Sequence, residues 1–462
     1  MMLRKQRFSV CVIGGGFTGG VAAIACLQRI EEPFRLTIVE PRGSLGRGVA
    51  YGGHHPLHLL NVRTRDLSAY PDKPGDFLHW AFRHLDQGEN DPALLEGLGH
   101  TFLPRQLFGE YVRQRLMETV DGRPDAQFNV LTGTALSCRR EGAAFVVRTD
   151  NAEAIRADVV ILATAYGLPA EHGDGALSPF GNVSPNRFAQ AQSLILIGSG
   201  LTMVDVLRTA RREGFAGDAI VMSRRGQLPR EHAAKGVVPK EMAIPATKSL
   251  ARLTTSVRIA CEAAEAYGTP WQAVINGLRA SVPGIWRQLS VAEQARFIRH
   301  ARPFWDAHRH RLPSEVHRQL QSELDEGRLR LMRARVLDVD ASETGFTVSF
   351  KPRGVASVER LNVDLAFDCR GYKPELRSPL IGSLIDENLA RRDPHDLGLT
   401  VEPDGRVLGL LGKPTPGLYA LGPLGQGTLW EITAVPEIVR QADLAASQIA
   451  GQLPLVDLAM PA

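Results

Sequence analysis

Two glycine-containing segments of this chain have the residue types and spacing that could hold a pyrophosphate. In the first, an apolar strand ends at Ile13 and is followed by GGGFTG at residues 14–19. In the second, an apolar strand ends at Ile197 and is followed by GSG at residues 198–200. A strand, a glycine turn and a helix together offer free N–H groups and the positive end of a helix dipole to phosphates. Each segment is therefore predicted to bind a dinucleotide.

The glycines of such a turn have separate roles. The first permits the tight strand-to-helix turn, the second lets a pyrophosphate approach the backbone, and the third allows close helix–strand packing. The first segment has all three: Gly14, Gly16 and Gly19. The second has Gly198 and Gly200 but carries Met203 at the third position, so we expect its helix to lie slightly farther from its strand. The residues at the two helix starts are also predicted to bind the cofactors: Phe17, Thr18, Leu201 and Thr202.

The charged residues after the next strand predict different nucleotides for the two segments. Glu40 lies 26 positions after Gly14, and Arg224 lies 26 positions after Gly198 and is followed by Arg225. A carboxylate here accepts hydrogen bonds from the ribose diol of FAD or NAD, whereas arginine pairs with the 2′-phosphate of NADPH. Glycine turns kept for packing and ordinary surface arginines are the alternative interpretations.

The composition shows no bias toward a polyanionic partner. The 462 residues suffice for two or three domains, and 44% hydrophobic with 23% charged residues is ordinary for a globular protein. Because the formal net charge is only +4, we predict no nucleic-acid or membrane partner. Residues 1–7 are interpreted as leading into a strand and not as a signal peptide, and no apolar run reaches about 18 residues. A cytoplasmic protein is expected.

The cysteines and histidines predict neither a disulfide relay nor a metal site. The five cysteines, at positions 11, 26, 138, 261 and 369, include no CxxC pair and no metal-binding spacing, which fits a reducing compartment. His54, His55 and His58 are grouped, but no carboxylate or cysteine completes a ligand set. We therefore predict no metal.

Strand and helix patterns predict an α/β fold with two Rossmann-like dinucleotide-binding domains and a helical insertion. The predicted division is 1–190 for the first part of the FAD-binding domain, 191–334 for the NADPH-binding domain with its insertion at about 230–330, and 335–462 for the return part of the FAD-binding domain. Helices are predicted in the insertion at 248–266, 270–279, 291–305 and 313–326. Two apolar strands end in similar glycine-containing segments, 163–167 and 369–372, where we expect the chain to cross between domains.

A third group of candidate residues lies near the carboxyl end of the chain. Residues 414–430 contain several glycines and no charged residue, and Glu431 follows, with a helix from about Pro436. We expect this loop to cover the isoalloxazine ring, because the helix N-terminus would stabilise negative charge there. Gly422, Trp430 and Glu431 are its candidate cofactor contacts; a packed turn and a buried salt bridge are the alternatives.

Three candidates follow Glu40 in the first domain: Arg47, Asn61 and Val62. Arg47 lies in a glycine-rich loop and is predicted to contact the FAD phosphates or the flavin, with a surface position as the alternative. Asn61 would offer its side-chain amide near the flavin ring, although an asparagine that caps a turn fits equally well.

Several segments carry a family resemblance. GRGVAY at 46–51 with HLLNV at 58–62, FWDAHRHR at 304–311 and GTLWE at 427–431 resemble blocks of the bacterial FAD/NAD(P)-binding proteins, a largely uncharacterised family. More distantly, the chain is similar to the NADPH-dependent, N-hydroxylating flavin monooxygenases, which share the two-nucleotide architecture. The resemblance implies FAD on the first motif, NADPH on the second and oxygen activation at the flavin.

The chain departs from the monooxygenase pattern at two places. The fingerprint histidine is absent from YGLP at 166–169, and Gly422–Pro423 replaces the Gly-Asp that commonly binds the ribityl chain. The prediction is an FAD-dependent NADPH oxidoreductase that acts on a small molecule, as a monooxygenase using molecular oxygen, with N-hydroxylation as one form. The alternatives are a reductase or dehydrogenase without oxygen insertion and a non-catalytic flavin-binding scaffold. No catalytic side chain is predicted, because the flavin carries the chemistry.

Overall fold

The apolar runs of the sequence form strands, and most of these strands are parallel. The computed structural model describes residues 7–53, 55–85, 91–167, 175–181, 183–233, 237–245, 247–371 and 375–452. In chain order the strands are β1 (Ser9–Ile13), β2 (Arg35–Glu40), β3 (Gln127–Thr132), β4 (Ala135–Glu141), β5 (Ala144–Thr149), β6 (Ala154–Ala157), β7 (Val159–Leu162), β8 (Ser193–Ile197), β9 (Asp218–Ser223), β10 (Leu329–Ser342), β11 (Gly345–Pro352), β12 (Glu359–Val363), β13 (Leu365–Asp368), β14 (Arg406–Leu408) and β15 (Pro414–Ala420).

At each of the two glycine-containing segments a strand is followed by a helix and then by a second strand. In chain order they are α1 (Phe17–Arg29), α2 (Gly48–Tyr51), α3 (Asp76–His84), α4 (Pro92–Gly99), α5 (Arg105–Asp121), α6 (Pro185–Gln190), α7 (Leu201–Arg212), α8 (Leu250–Ala266), α9 (Trp271–Leu278), α10 (Val282–Gln288), α11 (Val291–Arg296), α12 (Arg302–Arg309), α13 (Ser314–Asp325), α14 (Pro379–Asp386) and α15 (Val435–Ala450). Short 3₁₀ turns cover Thr64–Asp66 and Gly422–Gly425, and a π-helical turn covers Phe297–Ala301. None of the helices within the described ranges is long and apolar enough to cross a membrane.

One sheet has the strand order β14-β15-β7-β1-β2-β3, in which every pair except β14–β15 is parallel. All residues of β1 and β7 are buried, as expected for central strands covered on both faces. Strands β4, β5 and β6 form a separate antiparallel sheet of three strands. Helix α1 buries every residue from its start to Leu27, so the first glycine turn is held between a buried strand and a buried helix.

A second sheet has the strand order β12-β11-β10-β9-β8-β13. Strands β10, β9, β8 and β13 are parallel, and β11 and β12 extend the sheet in antiparallel fashion. The apolar side chains of β8 and β9 pack with those of α7 in a core that includes Leu196, Met203, Leu207 and Val221. This is again a strand–turn–helix–strand unit with its own core.

The helical insertion lies between β9 and β10 and contains the four predicted helices, with one interruption. The predicted helix at 291–305 consists of α11, the π-helical turn Phe297–Ala301 and α12. Pro303, in the first turn of α12, has no N–H to donate to the preceding turn, which accounts for the break in regular α-helix. Helix α10 was not predicted from the sequence, since Pro283 and Gly284 weaken its helical pattern.

The chain divides into two compact units whose boundaries differ from the predicted ones. The first unit comprises Met1–His54, Val62–Leu168 and Lys373–Ala462, and the second comprises His55–Asn61 and Pro169–Tyr372. Strands β10 to β13 belong to the second unit because β10 and β13 pair directly with β9 and β8. The predicted boundary at 334/335 therefore lies inside a strand of the second unit. The divisions after Leu168 and Tyr372 adjoin the two glycine-containing segments at which crossings were expected, although both named residues lie outside the described ranges.

Both units contain the same Ser–Asp pair at the start of the central strand. In the first unit Asp158 Oδ2 accepts hydrogen bonds from the backbone N and Oγ of Ser9, each 2.8 Å long. In the second unit Asp364 Oδ2 accepts from the backbone N and Oγ of Ser193, at 2.9 and 2.8 Å, and from Gln192 N at 2.8 Å. Each serine starts a strand, β1 or β8, and each aspartate directly precedes the neighbouring strand, β7 or β13. The pair thus sets the register of the two central strands.

We expect the Asp364→Asn substitution to lower the free energy of unfolding at neutral pH by about 1–2 kcal/mol, because an amide cannot accept all of these bonds. Hydrogen bonds from the Gln192 backbone and from Ser193 hold the pKa of the Asp364 carboxyl below its usual value. A lowered folded-state pKa gives stability that is present above the unfolded pKa of about 3.9 and is lost as pH falls through the folded value. Denaturant unfolding of both proteins between pH 7 and pH 3 should therefore show a difference that shrinks below about pH 4.

Asp338→Asn is the matched control, because Asp338 is an exposed aspartate of β10 in the same unit, without an ion pair among the described residues. An equal loss of stability in both variants would contradict the assigned role of Asp364.

Candidate functional site

The first glycine turn needs two of its glycines for the fold itself. Gly14 has φ +101°, and a Cβ placed on it would lie 2.5 Å from the carbonyl oxygen of Ala163, at the end of β7. A Cβ on Gly19 would lie 1.8 Å from the carbonyl oxygen of Gly14, so helix α1 packs directly on the turn. Larger residues at either position would force backbone apart. This is the close helix–strand packing that the third glycine was predicted to allow.

The start of α1 leaves backbone donors available. Gly16 precedes the helix with φ −66° and caps it without a side-chain hydrogen bond. The N–H groups of Phe17 and Thr18 have no hydrogen-bond partner in the described part of the chain, as the first turn of a helix dictates. The ring of Phe17 packs edge-on against Tyr51, with centroids 5.4 Å apart. The contribution of Phe17 to a bound pyrophosphate would therefore come from its backbone.

Glu40 lies at the end of β2 beside the same turn. It is buried, and its Oε2 accepts a 2.8 Å hydrogen bond from Gly15 N while its Oε1 accepts a 3.2 Å bond from Arg42 N. A carboxylate has about four lone-pair directions, so two such bonds orient the group and leave acceptor capacity for a ribose diol.

The loop after β2 covers the turn through contacts between glycine backbones. Gly46 N donates a 2.8 Å hydrogen bond to Gly15 O, and a Cβ on Gly16 would lie 3.3 Å from Gly48 Cα. Arg47 lies between these glycines, and its Cγ packs 3.1 Å from the position of a Cβ on Gly109 of α5. The Nε of Arg47 is buried and has no hydrogen-bond partner among the described residues. A cation held in this way beside the first glycine turn is suited to contact an anion.

The candidates from the charge-free loop lie partly against the same turn. Gly422 has φ +69°, and a Cβ on it would lie 2.9 Å from Thr18 Oγ1. Gly422 N donates a 2.8 Å hydrogen bond to Oε1 of Gln441, a buried residue of α15. The loop is thus placed against the start of α1, and Gln441 is a positioning residue that the sequence did not point to.

Trp430 and Glu431 are both buried, with 3% and 4% of their surface exposed. Glu431 has φ +77°, a left-handed conformation that costs a non-glycine residue about 1–3 kcal/mol and concentrates at functional sites. Asp393 packs against the charge-free loop that contains Trp430, because a Cβ on Gly427 would lie 2.0 Å from the Asp393 carboxyl carbon. Burial raises the pKa of Asp393, although the backbone N–H groups of His395 and other neighbours donate to it.

The second glycine turn repeats the first at its first position. Gly198 has φ +111°, and a Cβ on it would lie 2.5 Å from the carbonyl oxygen of Cys369, at the end of β13. Met203, at the third position, is fully buried and packs in the core of the second unit. The expected larger helix–strand separation stays a prediction.

Gly200 differs from the other glycines of the two turns because no neighbouring atom within the described part of the chain packs against the position of its Cβ. Its φ of −87° suits any residue, and no atom of the described residues lies within 4 Å of a Cβ placed on it. The N–H groups of Leu201 and Thr202, which follow, have no hydrogen-bond partner in the described ranges. The open space in front of these donors is what a pyrophosphate would fill.

Arg224 and Arg225 directly follow β9, at the carboxyl edge of the second sheet. Arg224 is exposed and Arg225 is half-buried, and neither forms an ion pair within the described part of the chain. Two basic neighbours were not predicted: His300, 75 positions away in the insertion, and Arg333 on strand β10. Arg333 could have been found from strand order, whereas His300 could not, since only the packing of the insertion brings it here.

Asn61 and Val62 are assigned to different units. Asn61 belongs to the seven-residue segment His55–Asn61 of the second unit, where its carbonyl oxygen accepts a 3.0 Å bond from His232 Nε2, and Val62 belongs to the first unit. The histidines of this segment contact α7: His55 Nε2 lies 3.3 Å from Glu213 Oε1, and His58 Nε2 lies 2.9 Å from Thr209 Oγ1. His54 lies outside the described residues.

Comparison with known proteins agrees with this geometry. Residues 11–167 match a protein-family model described as FAD-NAD(P)-binding. The uncharacterised protein YdhS of Escherichia coli K12 is 26% identical over 182 residues, which are 38% of this chain and 31% of YdhS. The alignment thus spans about a third of the length of that relative.

Solved structures are similar over nearly the whole chain. The ornithine N-hydroxylase KtzI of Kutzneria sp. 744, solved with reduced FAD, NADP⁺ and L-ornithine, has a TM-score of 0.64 at 14% identity, covering 96% of this chain and 99% of its own. The reduced ornithine hydroxylase PvdA of Pseudomonas aeruginosa has a TM-score of 0.63 at 13% identity, with the same coverage. The bacillithiol disulfide reductase YpdA of Bacillus cereus has a TM-score of 0.55 at 13% identity, covering 97% of this chain and 100% of its own.

These findings confirm the predicted fold class and an FAD-NAD(P)-binding segment. They also confirm the resemblance to FAD/NAD(P)-binding proteins and, at the level of fold, to the N-hydroxylating flavin monooxygenases. The chain has the fold of flavin-dependent oxidoreductases, a class that includes both hydroxylases and disulfide reductases.

We expect Gly200→Ala to weaken dinucleotide binding by about tenfold or more, since the methyl group would occupy the space that the pyrophosphate must enter. Because the fold leaves room for this methyl group, the free energy of unfolding should change by less than about 1 kcal/mol. Titration with NADPH and denaturant unfolding would measure the two effects.

Gly198→Ala is the contrasting variant, with a Cβ that must collide with Cys369 O at a positive φ. It should lose about 1–3 kcal/mol of stability from the backbone conformation alone. Equal destabilisation by the two variants would show that the fold requires Gly200, and unchanged NADPH binding by Gly200→Ala would contradict a pyrophosphate site at this space.

Proposed function

We propose that this chain is an FAD-dependent NADPH oxidoreductase, with FAD at the first glycine turn and NADPH at the second. The observation that carries the proposal is the pair of turns with opposite charges at the ends of β2 and β9. A buried, oriented carboxylate at Glu40 suits a ribose diol, and the arginines at 224 and 225 suit a 2′-phosphate. The predicted division of the chain into FAD and NADPH domains is part of this proposal, with the boundaries moved to those of the two units.

The residues of the first unit fit FAD in their donors and in their shape. The free N–H groups of Phe17 and Thr18 and the guanidinium of Arg47 would hold the pyrophosphate, and Glu40 would hold the ribose. Gly422 would bring the backbone of the charge-free loop close to the cofactor. A Cβ on Gly422 would lie only 2.9 Å from Thr18 Oγ1, so the loop approaches the start of α1 closely. Asn61 and Val62 remain proposed contacts of the cofactors.

In the second unit Gly198 and Gly200 shape the turn, and the N–H groups of Leu201 and Thr202 would hold the NADPH pyrophosphate. When both cofactors are bound, FAD supplies acceptance of a hydride from NADPH and transfer of the electrons to a final acceptor. The side chains of this protein would bind and orient the two cofactors and exclude water from them. Trp430 and Glu431 are proposed to do so beside the flavin, which is supported by their burial and by the strained backbone of Glu431.

For the oxidative half-reaction we propose monooxygenation of a small molecule, with attack on a substrate nitrogen as its form. This is supported by the likeness of the whole fold to two ornithine hydroxylases with TM-scores of 0.64 and 0.63. Electron transfer to an acceptor without oxygen insertion is the second candidate, because the fold is also similar to that of a disulfide reductase. The chain has no CxxC pair of its own, and four of its five free cysteines are buried, which disfavours a dithiol relay and fits a cytoplasmic setting.

The test measures flavin reduction by NADPH, and then oxygen consumption together with the products that the oxygen forms. Purified protein loaded with FAD should show NADPH-dependent bleaching of the flavin; absence of bleaching would leave only the scaffold interpretation. With air-saturated buffer and candidate amines such as ornithine and lysine, a monooxygenase consumes oxygen coupled to a hydroxylated product. Oxygen uptake that ends entirely as hydrogen peroxide with every amine, or reduction of a disulfide in its place, would favour the second candidate.

Arg224→Ala combined with Arg225→Ala should reduce the preference for NADPH over NADH by about 10- to 100-fold, because the 2′-phosphate loses its charged partners. The ratio of kcat/KM values for flavin reduction by the two nucleotides measures this effect. Arg330→Ala, an exposed arginine three positions before Arg333 on β10, is the control and should leave the ratio near the wild-type value. An unchanged ratio in the double variant would rule out the assignment of Arg224 and Arg225.

A further inference from the structure

A histidine of the helical insertion reaches the arginines at the end of β9. His300 lies in the π-helical turn Phe297–Ala301, and its Nδ1 is 3.3 Å from Nη2 of Arg225. Arginine can only donate, so His300 Nδ1 accepts this bond, and in the neutral ring the proton is carried by Nε2. His300 thus positions Arg225 through one ring nitrogen and keeps an N–H donor on the other. Single π-helical turns inside α-helices occur frequently at functional sites.

A third arginine approaches the same place from the neighbouring strand. Arg333 of β10 is in register with Ser223, the last residue of β9. The residue after Arg225 is Gly226, with φ +64°, and a Cβ on it would lie 2.9 Å from both Cγ and Nε of Arg333. The glycine therefore lets the side chain of Arg333 cross the backbone directly beside Arg225. A larger residue at position 226 would displace it.

The cluster formed by Arg224, Arg225, Arg333 and His300 has no anionic partner of its own in the described part of the chain. Arg211 and Arg328 of this unit, by contrast, are paired with carboxylates: Arg211 with Glu323 at 2.7 Å and Arg328 with Glu326 at 2.7 Å. Three guanidinium groups left without carboxylates carry a repulsion that a bound dianion would relieve. A phosphate monoester has a charge of about −1.5 to −2 at neutral pH and oxygens that accept several bonds.

We propose that His300 and Arg333 complete the site for the 2′-phosphate of NADPH and are specificity-determining residues for this cofactor. This assignment rests on the proposed function. The 2′-phosphate site then includes residues of three elements: the end of β9, strand β10 and the insertion. His300 holds Arg225 toward the phosphate and donates from Nε2, and Arg333 adds charge from the adjacent strand. The insertion thereby takes part in choosing the electron donor.

The experiment measures selectivity at equilibrium and in turnover. Binding of adenosine 2′,5′-bisphosphate and of AMP, measured by calorimetry on the FAD-loaded protein, isolates the 2′-phosphate from the nicotinamide. We expect His300→Ala to weaken binding of the bisphosphate about 5-fold and Arg333→Ala about 10-fold, each with AMP binding unchanged. The ratio of kcat/KM for NADPH over NADH should fall by the same factors.

Control variants separate this role from a structural one. His300→Gln keeps an acceptor for Arg225 and an N–H donor and should retain selectivity, whereas a residue needed only for packing of the π-helical turn would not be replaced by glutamine. Arg299→Ala, an exposed neighbour in the same turn, should leave the binding ratio near that of the wild type. Equal losses for the bisphosphate and AMP in His300→Ala and Arg333→Ala would overturn the proposal.

The Arg224→Ala, Arg225→Ala double variant distinguishes the two levels of inference. If the wild-type protein shows no preference for the 2′-phosphate, or if the double variant retains it, the assigned NADPH site itself is wrong. If the double variant loses the preference while His300→Ala and Arg333→Ala keep it, only the extension to these two residues is wrong.

Discussion

Each of the two glycine turns is packed between the ends of two neighbouring strands. Gly14 N donates to Val39 O at 2.9 Å, and the carbonyl oxygen of Ala163 occupies the other side, 2.5 Å from where a Cβ would lie. In the second unit Gly198 N donates to Met222 O at 2.8 Å, and Cys369 O occupies the corresponding side at 2.5 Å. Only glycine satisfies both neighbours at a positive φ. The direction of each helix N-terminus, and so the place of any pyrophosphate, depends on this contact.

The two turns share this constraint but differ in what lies in front of them. At the first, the backbone of Gly48 approaches Gly16 and the charge-free loop reaches Thr18, so the turn is covered by its own chain. At the second, the space before Gly200 is open. A covered turn suits a cofactor that stays bound through many turnovers, and an open one suits a nucleotide that must exchange in each turnover. The difference therefore fits the proposed assignment of FAD and NADPH.

Much of the fold could be predicted because it follows from local pattern. The apolar strands at β1, β7 and β8 and four helical segments of the insertion follow from periodicity and length, within a few residues of their bounds, whereas α10 does not. The boundary between the units could not be placed, because strands β10 and β13 join the second sheet through pairing with β9 and β8, which no local pattern encodes. The Ser–Asp pairs were missed for the same reason, since Ser193 and Asp364 are 171 residues apart.

By itself the sequence determined two strand–glycine–helix turns, the acid or base that follows each and hence the class of ligand each should bind. These features lie within about 30 residues of one another, where backbone geometry and residue type suffice. Only the tertiary structure decided which glycine is free of any packing role, which loop covers the first turn and which residues join Arg225. Gly16 and Gly200 occupy the same position in the two sequence motifs, yet Gly48 approaches Gly16 and not Gly200. His300 meets Arg225 because the insertion folds back on the sheet, a contact between segments that are distant along the chain.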